Sequence, residues 1–291
     1  MGEPLITIII SCKNEGENIR RTLNSIMENS GPTPYQVIVV DDGSNDGCCD
    51  FLKTKKVNGV VLITTPGVYA NQARNIGAAK AEGSILVFCD AHIFVEKDWL
   101  EKLAGSLQLP GIDAVSPGIK PHDYEGPAWG GLTWEPDMTT RWLFCSENHA
   151  PVPVLPRNCL AVTREAFYAV GGFENGFRVY GYEDMEFTIK LWLFGFGAYI
   201  TPEVTVRHLF QRTRSYPISK ADVEYNLLRL AFLHLNQDRL SRVIELKKNS
   251  PYFPGIFTDV ILGDVLERRK EYLSCRKYDD DWFVQKFNIP L

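Results

Sequence analysis

Short apolar runs separated by segments of helix length constrain this chain more than any other feature. Leu5 to Ser11, Gln36 to Val40, Gly59 to Thr64 and Ser84 to Cys89 are rich in β-branched residues and are apolar almost throughout. Between them, Asn18 to Glu28 carries helical spacing at Ile19, Leu23 and Ile26, and Asn71 to Ala81 reads as a second helix. Continuous rather than alternating apolar strands, joined by helical crossovers, predict a parallel sheet covered on both faces. Such sheets bind ligands in the crevice beyond the carboxyl ends of their strands. The chemistry is therefore to be sought where the runs stop.

Each run stops on polar residues. The run Ser84 to Cys89 meets Asp90-Ala91-His92, a carboxylate and an imidazole one residue apart, which is a spacing that can hold a metal or simply close a strand. Val39-Val40 is followed by Asp41-Asp42-Gly43-Ser44, two acids at the same edge that suit a base or ribose as well as a capped turn. Ser11, Lys13, Asn14 and Glu15 end the first strand. Asn71, Arg74 and Asn75 open the helix that faces the same crevice, with Arg74 able to hold a phosphate.

The segment from about 117 to 156 is different. It is rich in Trp, Gly and Pro and shows few periodic signals, as expected for a lid or a functional loop. Trp129, Trp134, Trp142 and Phe144 read either as packing beneath that loop or as a stacking platform for an acceptor. Regular patterns resume at Cys159 to Thr163, in a helix from Glu165, and from Asp184 to Phe194. From Lys220 onward, apolar residues such as Leu227, Leu230, Ala231, Leu235 and Leu240 are spaced for two or three helices packed through one face.

Composition narrows the classes. With 291 residues, 45% of them hydrophobic, and a net charge of −5, the chain has a sizeable core and no basic face, so nucleic acid is not an expected partner. No apolar run approaches the roughly 18 to 20 residues of a membrane span. Cys12, Cys48, Cys49, Cys89, Cys145, Cys159 and Cys275 are odd in number and none is spaced like a zinc ribbon, which reads as reduced, mostly buried thiols. His122, His149 and His234 show no ligand spacing.

Taken in order, Ile10-Ser11-Cys12-Lys13-Asn14-Glu15, Val39-Val40-Asp41-Asp42-Gly43-Ser44, Ala73-Arg74-Asn75-Ile76-Gly77 and Asp90-Ala91-His92 resemble a family 2 glycosyltransferase of the GT-A fold. The second half is similar to the polypeptide N-acetylgalactosaminyltransferases. Gly130-Gly131-Leu132-Thr133-Trp134, Gly171-Gly172-Phe173, Tyr180-Gly181-Tyr182-Glu183-Asp184-Met185-Glu186 and Arg207-His208-Leu209-Phe210-Gln211-Arg212 carry that likeness.

The resemblance implies an α/β, Rossmann-like and mostly parallel sheet with helices on both faces. It implies a catalytic domain over 1–215, divided into a nucleotide-binding half (1–116) and an acceptor half (117–215), with a helical extension over 216–291. A UDP-sugar donor is implied, with Asp42, Ser11 and Glu15 around the uracil and Asn71, Arg74, Asp90 and Arg157 as further donor contacts. Asp90, His92 and His208 would hold a divalent metal, Mn²⁺ in preference to Mg²⁺ because two ligands are imidazoles. His208 alone also reads as a surface residue in a basic stretch with Arg207, Arg212 and Arg214.

The pair Glu183-Asp184 opens a helix at the crevice. Inverting members of the family use the Asp of a Glu-Asp pair as general base, whereas the retaining N-acetylgalactosaminyltransferases carry Glu-Asn there. Asp184 therefore points to inversion, with Glu183 as an acceptor contact or a helix-terminal charge. A retaining transferase and a non-catalytic nucleotide-sugar-binding protein are the alternatives; a nucleotidyltransferase lacks its glycine-rich loop here. The acceptor is expected to be a peptide or protein side chain, with a glycan or small molecule as the alternative. No lectin-like segment or N-terminal anchor accompanies the motifs, which reads as a cytoplasmic enzyme.

Overall fold

Ile8 and Ile10 face one side of the first strand and Ile9 the other, and all three are fully buried. The alternation produces two cores, one on each face of a single sheet. The computed structural model describes residues 6–54, 57, 59–144, 147–210 and 216–291. Leu5, Cys145, Gln211, Arg212, Arg214 and Ser215 of the sequence motifs lie outside the described residues.

The first half runs β1 (Ile6–Cys12), α1 (Asn18–Asn29), β2 (Tyr35–Asp41), α2 (Asp50–Thr54), β3 (Val60–Thr64), α3 (Ala70–Ala79), β4 (Ile85–Asp90), β5 (Ile93–Val95) and α4 (Trp99–Ser106). The middle contributes β6 (Ala114–Pro121) and three short strands, β7 (Leu132–Trp134), β8 (Thr140–Trp142) and β9 (Ala150–Pro151). Then follow β10 (Cys159–Thr163), α5 (Arg164–Ala169), α6 (Glu183–Phe194) and β11 (Ala198–His208).

The large sheet has the order β3, β2, β1, β4, β10, β6, β11, β5, with β9 added to β11, while β7 and β8 pair separately. β1, β2, β3 and β4 are mutually parallel, and β10 enters antiparallel between β4 and β6. From β1 the chain moves outward to β2 and β3, then returns to place β4 on the other side of β1. That reversal opens a crevice at the carboxyl ends of β1 and β4, where Ser11 lies level with Asp90 and Cys12 with Asp41.

Helices α1 and α4 cover one face through Ile19, Leu23, Trp99 and Leu103, and α3, α5 and α6 cover the other. The tail forms five helices: α7 (Lys220–His234), α8 (Gln237–Lys247), α9 (Phe253–Leu262), α10 (Val265–Cys275) and α11 (Asp280–Phe287). Two or three were expected, and the reason lies in the breaks. Each is only two to five residues long, and two are closed by side-chain caps, Asn236 accepting from the Arg239 N–H and Asp279 from the Trp282 N–H, too brief to interrupt the apolar spacing. Nor does α7 show a single apolar face, because Glu224 to His234 are all buried. The tail shares the core that holds α6. Among the described residues no helix is long and apolar enough to cross a membrane.

Gly77 sets how closely α3 approaches the sheet. A Cβ there would lie 2.5 Å from Ile9 Cγ2 and 3.1 Å from Val40 Cγ2. Gly77→Ala is expected to destabilise the fold by about 1–3 kcal/mol, because this overpacking outweighs the helix propensity gained, roughly 1 kcal/mol. The urea midpoint measures it, and an unchanged midpoint would show that α3 has room to move.

Candidate active site

β4 delivers Asp90 to the crevice at its last position, and the chain turns at once through Ala91 and His92 into β5. β11 runs antiparallel to β5 with His208 opposite Ile93, so its final residue returns to the same point. Asp90 is nearly buried and accepts from Arg74 Nη2 at 3.1 Å, Asn158 Nδ2 at 3.0 Å and His208 Nε2 at 3.2 Å. His92 Nδ1 lies 3.0 Å from Glu15 Oε2, and the two imidazole rings meet edge-on with centroids 4.7 Å apart.

The ligand atoms of Asp90, His92 and His208 all lie within 4.8 Å of one another. His208 Nδ1 is buried without a hydrogen-bond partner, and the Glu15 contact at Nδ1 leaves the far nitrogen of His92 uncommitted to that carboxylate. One carboxylate and two imidazoles so arranged fit a divalent transition metal. Burial acts to raise the Asp90 pKa, but the His208 hydrogen bond and the Arg157 and Arg74 charges hold it well below the usual range. Burial lowers His208 against the pull of Asp90, keeping the ring neutral. His92 is shifted upward, burial being outweighed by Glu15 and Asp90.

These groups form the floor of a cleft of about 530 Å³. Ser11, Lys13, Glu15 and Asp42 line its β1–β2 side. The Asp42 carboxylate organises the turn before α3: Oδ1 accepts from Thr65 Oγ1 and the Val68 N–H, each at 2.6 Å, and Oδ2 from the Tyr69 N–H at 3.0 Å. Arg74 is 1% exposed, and beyond its bond to Asp90 its Nε and Nη1 have no partner. Unspent guanidinium donors at a buried wall suit an anion. Asn71 does not line the cleft; its amide donates to the Glu174 carbonyl at 3.2 Å.

Arg157 and Tyr180 form the far wall, the guanidinium lying 4.7 Å from the ring centroid. Behind them, α6 begins with Glu183 and Asp184 after Tyr182 at a left-handed φ of 69°. Glu183 accepts from the Gly181 N–H at 2.8 Å and so closes its own turn. Asp184 Oδ1 lies 3.2 Å from Arg157 Nε, an ion pair without a well-aligned hydrogen bond. Burial raises its pKa to about 7, although Arg157 and Arg74 pull the other way. Asp184 stands next to the cleft wall rather than on it.

The aromatic segment divides between its two readings. Trp134 is core, 1% exposed and packed edge-on against Phe283 at 5.9 Å. By contrast, Phe210 packs at a tilt against His208 with centroids 4.3 Å apart, Trp129 lies 5.7 Å from Phe210, and Trp142 lies 4.9 Å from Trp129. Phe144 is 68% exposed.

Several residues join the sequence candidates in the cleft; of these the run Arg157-Asn158-Cys159 already offered Asn158 as a contact to the donor sugar, and the others gave no such sign. Asn158, next to Arg157, binds Asp90 through its side chain and accepts the Asp90 N–H on its carbonyl. Val179 lies on the wall at φ 26°, a strained value for a β-branched residue. Tyr216, Ser219 and Asp222, at the start of the tail, complete the lining. The adjacency of Asn158 to Arg157 was a usable signal; the tail residues offered none.

The family described as Glycosyl transferase family 2 matches residues 7–169, and one described as the N-terminal domain of galactosyltransferase matches residues 158–213. The Drosophila melanogaster protein named polypeptide N-acetylgalactosaminyltransferase 8 is 30% identical, over 97% of this chain and 51% of its own length. A crystal structure of GalNAc-T7 with UDP, GalNAc and Mn2+ superposes with a TM-score of 0.81 at 21% identity, over 99% of this chain and 57% of that one. A Pyrobaculum calidifontis mannosyltransferase in complex with GDP-Man and Mn2+ superposes at 0.58 and 21% identity, over 94% and 75%. The chain spans about half the length of the first of these relatives. The fold is that of the GT-A glycosyltransferases. With more than half of its length matched by one family, the chain belongs to glycosyl transferase family 2.

Proposed function

We propose that this chain transfers a sugar from a UDP-sugar to an acceptor, with Asp184 as general base and inversion at the anomeric carbon. The observation that carries the reading is the convergence of Asp90, His92 and His208 beside the unspent donors of Arg74, at the carboxyl ends of β1 and β4. A nucleoside diphosphate needs an apolar-to-polar slot for its base, cations for its phosphates and an open side for the sugar. Ser11, Asp42 and the Lys13 stem supply the slot, and Arg74 donates to a phosphate oxygen.

Asp90, His92 and His208 would hold a divalent cation, Mn²⁺ by their mixed nitrogen and oxygen donors. Such an ion would offset the charge that builds on the diphosphate leaving group. Two structural neighbours were solved with Mn2+, which supports that choice. Arg157 orients Asp184 and keeps its carboxylate partly ionised near neutrality. A base with a pKa of about 7 suits deprotonation of an acceptor at neutral pH. A peptide or protein acceptor is supported by the name of the Drosophila relative and by the aromatic run His208, Phe210, Trp129, Trp142, whose faces suit an extended chain.

One observation favours a second reading. Asp184 is paired with Arg157 next to the cleft wall, and a retaining transfer needs no base at that position. Proton NMR of the newly formed linkage separates the two, since the anomeric coupling of the product either differs from that of the donor or matches it.

Asp184→Asn is expected to lower turnover by about 10²–10⁴-fold with little change in donor affinity, measured as UDP release and by calorimetry. Turnover close to that of the unaltered protein would remove Asp184 as the base. In the unaltered protein the base must be ionised, so kcat/KM should rise with pH through about 7 and then level off. The Asn variant should lack that step. Chelation by EDTA should abolish UDP release and added Mn²⁺ restore it, with His208→Ala needing at least about tenfold more metal for half-restoration.

A further inference from the structure

We propose that Cys12, Cys48 and Cys49 form a second metal site, a three-thiolate cradle for a soft divalent ion such as Zn²⁺. Cys12 is the last residue of β1, and Cys48 and Cys49 lie in the turn between Gly47 and α2. Segments far apart in the chain thus bring three sulfurs together, with Sγ–Sγ separations of 3.6, 3.7 and 3.8 Å. All three side chains are buried.

The triangle has the size that such an ion requires. At a Zn–S bond of about 2.3 Å, two corners of a tetrahedron stand about 3.8 Å apart, against about 4.0 Å for a flat three-coordinate ion. The observed edges match the tetrahedral value, so an ion would sit above the sulfur plane with no backbone movement. Among the described residues no fourth Cys, His, Asp or Glu completes the group, which leaves the fourth position to an exogenous ligand. An all-sulfur set prefers soft ions, in contrast to the carboxylate and imidazoles of the donor cleft.

Ordinary packing of cysteine as a small apolar residue explains burial, but not three sulfurs from two distant segments converging on one another. The site would hold together two loops that already share the Asn14 N–H to Ser44 Oγ bond at 3.0 Å and the Asn45 N–H to Asn14 Oδ1 bond at 2.9 Å. Those loops follow Ser11 and Asp42, and Cys12 itself lines the cleft, so an ion here would stiffen the base-binding side of the cleft.

The test is a titration of the reduced full chain with Cd²⁺, in the presence of excess Mn²⁺ to occupy nitrogen and oxygen ligands. A thiolate-to-cadmium charge-transfer band should rise linearly to one equivalent. It should persist in His208→Ala and in Cys159→Ala, which opens the separate Cys89–Cys159 contact of 3.9 Å, and weaken at least about tenfold in Cys48→Ser. Should Cys48→Ser fail to fold, zinc-edge X-ray absorption on the His208→Ala chain with one equivalent of Zn²⁺ decides, with three sulfur neighbours expected. No band, a band unaffected by Cys48→Ser, or a shell of nitrogen and oxygen only would overturn the proposal and leave the three thiols as packing.

Discussion

The carboxylate of Asp90 is the group on which the rest of the site depends. It is almost out of reach of water, a placement that would cost several kcal/mol for an isolated anion. Its charge is paired with Arg74 from α3 and hydrogen-bonded by Asn158 from the approach to β10 and by His208 from the end of β11. Four separate stretches of chain are thereby tied to one atom pair. Removing Arg74 would leave the charge uncompensated, and removing Asn158 or His208 would leave a buried acceptor short of a donor, so the same contacts that stabilise the sheet edge also hold the site in register.

A second set of buried charges binds the tail to α6 and to the turn before it. Glu186 on α6 lies 3.0 Å from both Lys190 and His234, the latter on α7. Glu174 pairs with Arg229 at 2.7 Å and accepts from Tyr272 at 3.0 Å, and Lys190 donates to the Gly172 carbonyl. Burial opposes ionisation of Glu174, yet Lys190 and Arg229 hold its pKa down at about 2. His234 is thus a buried partner of α6, consistent with its lack of ligand spacing. Because α6 carries Glu183 and Asp184 in its first turn, α7 and α10 act on the site through the helix they brace. The start of the tail adds Ser219 and Asp222 to the cleft wall directly.

The central strands and the crevice were legible before any coordinates, since β1, β2 and β4 announce themselves as apolar runs ending in polar turns. The grouping of Asp90 with His92 was legible for the same reason. The companionship of His208 came through resemblance rather than spacing, because it reaches the site only by pairing β11 with β5. The aromatic segment was undecidable from composition: Trp134 and Trp129 look alike in sequence and differ only in whether the tail's Phe283 or the cleft's Phe210 lies opposite. Helix count in the tail failed where burial on all sides erased the periodicity from which single helices are read.

The features written directly in the chain are local: the alternation that makes Ile9 face one core and Ile10 the other, the turns after Asp41 and Asp90, and the residue types at the sheet's carboxyl edge. These follow from side-chain period and turn chemistry, which act over a few residues. Which of those groups meet is set by how distant segments pack. Glu15 goes to His92 and not to open solvent, Asn71 turns away to Glu174, Asp184 is held by Arg157, and Cys12 finds Cys48 and Cys49. Each pairing depends on strand order and on the close approach of loops distant in sequence, and neither is written in the spacing of residues along the chain.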